Sequence, residues 1–158
     1  MTFRFDLVDL RLFSQVVEAG SITAGAQVHK SPIIMAAVDV EGAAEGLAMT
    51  FAPMLDVSRD PRWGRTAEGP GEDAWLNGRI AQAKVRGFQG VDLASADSMA
   101  ACAKHFVAYG SVNAGREYAE VDISDRTLHE VHLPGFAAAI RAGVATLMPS
   151  FTDLNGVP

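Results

Sequence analysis

Residues 49–73, MTFAPMLDVSRDPRWGRTAEGPGED, run from a short apolar segment straight into a long polar loop. Met49 to Leu55 is compact and apolar, with the β-favouring Thr50 and Phe51, and reads as a buried strand. The loop after it gathers Arg59, Asp60, Arg62, Arg65, Glu68, Glu72 and Asp73 around Trp63, with Pro61, Gly64, Gly69, Pro70 and Gly71 as turn-formers. Charges of both signs, held by Gly and Pro geometry next to a large aromatic, mark a loop that is kept in shape, as ligand-binding loops on rigid scaffolds are.

Outward from this loop the chain alternates elements. Ile33 to Leu47 is Ala-rich and predicts a helix weakened by Gly42 and ended by Gly46. Leu76, Ile80, Ala83, Val85 and Phe88 fall at helical spacing, predicting a helix over 74–89 that Gly87 and Gly90 end. Met99 to Val107 predicts a second buried strand, with Lys104 and His105 toward its C-terminal end. A third helix starts at Ser124, carries Leu128, Val131, His132, Phe136 and Ile140 on its apolar stripe, and is kinked at Pro134. Val144 to Phe151 predicts a third strand. The order β, α, β, α, β with short apolar strands implies parallel pairing through right-handed crossovers, an α/β fold.

Three motifs in this order, DVSRDPRWGR with EGPGED, then Ala103-Lys104-His105-Phe106, then Leu154-Asn155-Gly156-Val157-Pro158, resemble glycoside hydrolase family 3, in particular its bacterial β-glucosidases. The resemblance covers about residues 37–158. It implies a partial (β/α) barrel, of the TIM barrel type, with carbohydrate, a β-glucoside, as substrate and no cofactor. In such barrels the site gathers at the C-terminal ends of the strands. A pyranose needs fixed donors, acceptors and an apolar wall. Matched motif to motif, the resemblance places sugar-binding residues at Arg65, Lys104 and His105, with a further sugar-contacting Arg at Arg116; Trp63 or Phe151 supplies the wall. Arg65 can equally pair with Glu68 or Glu72, and Lys104 with an acidic residue of the loop, alongside sugar contact.

The catalytic side of the reading is negative. Retaining glycosidases need two carboxyl groups about 5–5.5 Å apart. The resemblance puts the nucleophilic Asp on a strand downstream of the Asn-Gly-x-Pro segment and the acid/base in a further domain. Asp56, Asp60 and Glu117 lie near the right end of the sheet, but none matches the nucleophile's motif. With 158 residues against about 250 for a closed barrel, the expectation is an incomplete barrel segment: no catalytic residue, no turnover alone, self-association through uncovered edges, or completion by a separate complementing chain.

Ahead of this segment, DLVDLRLFSQVVEAGSITAGAQVHKSP, residues 6–32, predicts two short helices over 6–19 and 21–28 and resembles the opening of a LysR-type helix-turn-helix regulator. The third, groove-reading helix is missing, since Ile33-Ile34-Met35-Ala36-Ala37-Val38 follows. Residues 1–32 are therefore taken as a helical hairpin and 33–158 as the barrel segment, joined near Pro32 without a spacer. The net charge of −6 argues against a general nucleic-acid surface, so DNA is not an expected partner, although a remnant regulator is the alternative function. The N-terminal stretch has charges among its apolar residues and reads as no export signal, and no run is long enough to span a membrane, so a cytoplasmic location is expected.

Minor features have plain readings. The single cysteine, Cys102, sits in an apolar run and is a core residue without a disulfide partner. Ser124 and Asp125 cap a helix rather than catalyse. His129 and His132 lack a third ligand, so no metal is expected.

Overall fold

The computed structural model describes Ala43 and residues 46–158. The hairpin assigned to 1–32, the Pro32 boundary and all but the end of the predicted 33–47 helix lie outside the described residues.

The central strand is β1, Cys102–Phe106, in which Cys102, Ala103 and His105 are buried and Lys104 half-buried. It pairs in parallel with β2, Thr146–Pro149, in the register Cys102↔Thr146, Ala103↔Leu147 and Lys104↔Met148. The register slips between Lys104 and Phe106, and the peptide bonds Lys104–His105 and Phe106–Val107 around this irregularity are cis. Residues 49–55 lie along the other edge of β1, also parallel, touching it through bridges at Met49↔Ala100 and Met54↔Lys104. They do not form the continuous strand that their composition predicts. Pro53 has no N–H to give the ladder, and it contributes only its carbonyl, which accepts from Lys104 N–H at 3.0 Å.

Helix α1, Ala74–Gln89, crosses from the first segment to β1, and its limits are those the periodicity predicts. Asp73 caps it, accepting from the Leu76 N–H at 2.7 Å, and Gly90 closes it at φ 58°. The second crossover is not one kinked helix. Ser124 caps a turn at Asp125–Thr127 by accepting from the Thr127 N–H at 3.1 Å; a wide π-helical stretch, Leu128–His132, follows; helix α2, Leu133–Arg141, then begins with Pro134 in its first turn. A proline is tolerated there because first-turn N–H groups have no intrahelical partner. The predicted strands at 99–107 and 144–151 are shorter in the structure, at 102–106 and 146–149.

One core lies between the helices and the sheet. Ala81, Val85 and Phe88 of α1 meet Phe136, Ala138 and Ala139 of α2 over Leu55, Met99, Ala101 and Ala103. Burying each of the large side chains contributes about 1.5–3 kcal/mol. Two polar side chains are built into this core. Asn77 Nδ2 donates to the Leu55 carbonyl at 2.8 Å, and Gly135 permits the approach, since a Cβ there would stand 2.6 Å from that nitrogen. Gln89 donates to the Gly143 carbonyl at 2.8 Å, while its Oε1 accepts from Ala101 N–H at 3.2 Å and Ala145 N–H at 2.8 Å. A second core, built from Met54, Trp63, Ala108, Tyr109, Val112 and Val121, sits beyond the C-terminal ends of the strands and supports the loops there. Cys102 is buried and free. Among the described residues no helix is long and apolar enough to cross a membrane, and no group of three potential ligands could hold a metal ion.

Candidate functional site at the strand ends

The loop over residues 56–73 is tied by its own charges. Arg62 grips both carboxylate oxygens of Asp60 at 2.7–3.1 Å, which holds that carboxyl at about 2, well below its usual range. Arg65 makes a two-pronged pair with Glu68, with Nε and a terminal nitrogen each 2.8 Å from one oxygen. Of the two partners open to Arg65, Glu68 is the one it takes. Glu68 is shifted down first by its hydrogen bonds from Arg65 and further by the Lys104 charge, so both cations act on one carboxylate beside His105.

His105 is 1% exposed and is the best-anchored polar side chain of the group. Its Nδ1 lies 2.8 Å from Asp56 Oδ2, and its main-chain N–H donates to the same oxygen at 3.2 Å. Tyr109 packs edge-on against the imidazole with ring centres 5.1 Å apart, and Phe151 lies 5.4 Å away on another side. Tyr109 is the hub of the aromatic layer. It contacts Trp63 at 5.3 Å and Phe151 at 5.6 Å, carries the Arg65 guanidinium 5.8 Å from its ring centre, and donates its hydroxyl to Glu117. Burial, and then the Glu117 carboxylate, push the Tyr109 phenol up to about 12, so it remains a donor at any ordinary pH. The backbone behind this hub is close-packed. A side chain at Gly110 would run into the Val57 carbonyl, so the residue after Tyr109 has to be glycine.

Arg65, Lys104, His105 and Phe151 are therefore brought together. Lys104 is half-buried and its ammonium makes no ion pair among the described residues; only its field is felt at Glu68. Phe151 is 54% exposed and can act as an apolar wall. Trp63 cannot act as one: it is 2% exposed, sealed behind Tyr109, and serves as floor. A residue not singled out in the sequence, Tyr118, is exposed beside Phe151, with ring centres 5.9 Å apart. Arg116 is exposed, and its side chain makes no hydrogen bond or ion pair among the described residues. Asp56, Tyr109 and Glu117 also went unassigned. The only signal for Asp56 is its position directly after a buried strand segment, at a strand end. His132 is buried against Ser111 Oγ at 2.9 Å, while His129 is exposed, consistent with a packed residue and a solvated one.

A separate open cavity of about 640 Å³ lies beside the cluster, lined among others by Arg59, Arg62, Ser111, Asn113 and Asp122. None of Arg65, Lys104, His105 or Phe151 borders it.

The comparisons with known proteins fit this arrangement of strands and loops. Residues 15–158 match the family model described as glycosyl hydrolase family 3 N terminal domain, a match that takes in most of the 6–32 stretch as well. The chain is similar to the periplasmic beta-glucosidase of Salmonella typhimurium, 45% identical over 118 residues that make up 75% of this chain and 15% of that protein. It is also similar to a beta-xylosidase of Formosa agariphila, 42% identical over 122 residues, 75% of this chain and 17% of that one. The crystal structure of a beta-glucosidase from Listeria innocua in complex with glucose superposes with a TM-score of 0.76 at 43% identity, over 80% of this chain and 18% of that one. The chain thus spans under a fifth of the length of these relatives. With a motif-bearing loop, a Lys-His strand end and a family match across nearly all of its residues, this chain belongs to glycoside hydrolase family 3, to which it contributes N-terminal-domain sequence that is β-glucosidase-like.

Proposed function

We propose that residues 33–158 form part of a (β/α) barrel whose strand ends hold one face of a β-glucoside-binding subsite. Arg65, Lys104 and His105 are its polar contacts, Phe151 with Tyr118 its apolar wall, and Arg116 a donor at the rim. The observation that carries this reading is the convergence of two cations, Arg65 and Lys104, with the His105 imidazole and an exposed aromatic at the C-terminal ends of parallel strands, where barrel enzymes place their sites. The glucose-bound relative from Listeria innocua supports the same substrate class.

Recognition, and not bond cleavage, is the role assigned to this segment. Four carboxylates of the cluster and its loop are paired within it: Asp56 with His105, Asp60 with Arg62, Glu68 with Arg65 and Glu117 with Tyr109. A nucleophile and an acid/base must flank the glycosidic bond, and none of these carboxylates stands in the nucleophile's motif. Hydrolysis then depends on carboxylates from outside these residues, whether in the same polypeptide or in a complementing chain.

The test is glucose titration of the purified chain beside a Lys104→Ala variant, with an aryl β-glucoside hydrolysis assay on both. Loss of a charge-assisted hydrogen bond should weaken glucose binding about tenfold or more, with no hydrolysis by either protein. Equal binding by both proteins would overturn the subsite. Hydrolysis that disappears in the variant would mean that one of the engaged carboxylates is the nucleophile after all.

A further inference from the structure

Asp56 and His105 stand 49 positions apart in the chain, and parallel pairing brings them together: the Leu55 N–H donates to the Lys104 carbonyl at 2.6 Å, one residue before each partner. The Asp56 side chain is wholly buried and that of His105 is 1% exposed. Oδ2 of Asp56 takes two contacts, from the His105 main-chain N–H at 3.2 Å and from Nδ1 at 2.8 Å. The main-chain group can only donate, so this oxygen is an acceptor. With Oδ2 acting as acceptor in both contacts, the imidazole proton of this pair sits on Nδ1. Tyr109 and Phe151 limit rotation of the ring. The other nitrogen, Nε2, has no hydrogen-bond partner among the described residues, and it is not among the buried polar atoms left without one.

We propose that Asp56 is a positioning residue for sugar recognition: by keeping the His105 proton on Nδ1 it presents Nε2, in one orientation, as the hydrogen-bonding atom that meets a sugar hydroxyl. This rests on the subsite reading above and deepens it. Lys104 and Arg65 are donors only, and the Glu68 oxygens are occupied by Arg65. A hydroxyl held by those cations still has its own hydrogen to place. The Nε2 lone pair supplies that acceptor, and the opposite tautomer would face the hydroxyl with a third donor. Asp56 acts through His105 without touching the sugar, as carboxylates behind ligating histidines do elsewhere.

The experiment is nitrogen NMR of the full chain labelled in histidine, at neutral pH, on the wild type and Asp56→Asn, with His105 assigned among the four histidines by its absence in His105→Gln. The wild type should show His105 with its proton on Nδ1. Asp56→Asn keeps the shape, but its amide either turns a donor toward His105 or buries an NH2 group where Asp56 Oδ1 has no partner, so the Nδ1–H preference should be lost. Glucose affinity should fall about 10–100-fold with it. A wild-type His105 protonated on Nε2 with a bare Nδ1 overturns the proposal, and this measurement stands even if the variant does not fold. A folded variant that keeps Nδ1–H and wild-type glucose affinity overturns it too. If the tautomer behaves as described while glucose leaves the wild-type His105 signals unmoved, the positioning of the ring is supported and the sugar reading fails.

Discussion

His132 shows what a single buried side chain does to the pH dependence of this fold. Its Nε2 meets Ser111 Oγ and its Nδ1 is buried without a partner, so charging the ring would strand a cation in the protein. Burial lowers its pKa from the ordinary 6.5; the Asp56 charge pulls it back up, and Arg59 pushes it down again. Because the unfolded chain binds this proton more readily than the folded one, the stability from keeping the ring neutral is complete above about pH 6.5 and is lost as pH falls below that. Melting temperature followed by circular dichroism should therefore drop as pH is taken from about 7 to about 5.5, and His132→Gln should flatten that drop. An unchanged slope in the variant would place the titration elsewhere. Residues like this are hard to read from sequence, because an apolar stripe at helical spacing admits histidine without saying what it faces. Trp63 and Asp56 illustrate the same limit from opposite sides. Trp63 stands in a polar loop and is core, whereas Asp56 closes an apolar strand segment and belongs to the site. Both placements come from contacts with β1 and the loop after it, about 50 positions away.

Among the elements, α1 was legible to the residue because its stop signal is local: Gly90 in the left-handed region, after an unbroken apolar period. The segment 49–55 was legible in place but not in form, since composition favoured a strand while Pro53 withheld a donor from the ladder. The crossover before β2 was legible at its Ser124 cap and not in its middle, where the backbone widens into a π turn ahead of Pro134. What the pattern could not show is how the elements are fastened. Gln89 lies at the last position of α1, yet its one amide answers the Gly143 carbonyl and the N–H groups of Ala101 and Ala145. It ties α1 to the starts of both strands. Gln89→Ala would leave these backbone groups unsatisfied at about 1–3 kcal/mol for each one that stays buried, so a loss of at least about 2 kcal/mol is expected in urea unfolding. A loss below about 0.5 kcal/mol would show that water replaces the amide freely.

At the scale of the whole molecule, the described helices leave apolar side chains of the sheet exposed. Leu47, Met49 and Phe51 are exposed at the first edge, and Phe106 and Leu147 are exposed in β1 and β2. Edges of this kind pair with other chains unless something blunts them, and no lysine or arginine lies within 49–55 or β2 to do so. The chain should therefore associate as its concentration rises, read by light scattering on a sizing column. Phe51→Lys with Leu147→Lys should shift it toward monomer, and a clean monomer at every concentration would count against the edges as sticky surfaces. The parallel order itself was readable, because short apolar strands separated by helices leave few other topologies.

The two-pronged hold of Glu68 on Arg65 has a consequence for timing. A long arginine side chain ordinarily surrenders its rotamers when a ligand arrives, and that loss weakens the complex. Here the guanidinium has taken up its orientation during folding, seated on Tyr109 with its fork filled. In the proposed subsite a sugar would meet a surface that has stopped searching, with its edge assembled before there is anything to recognise.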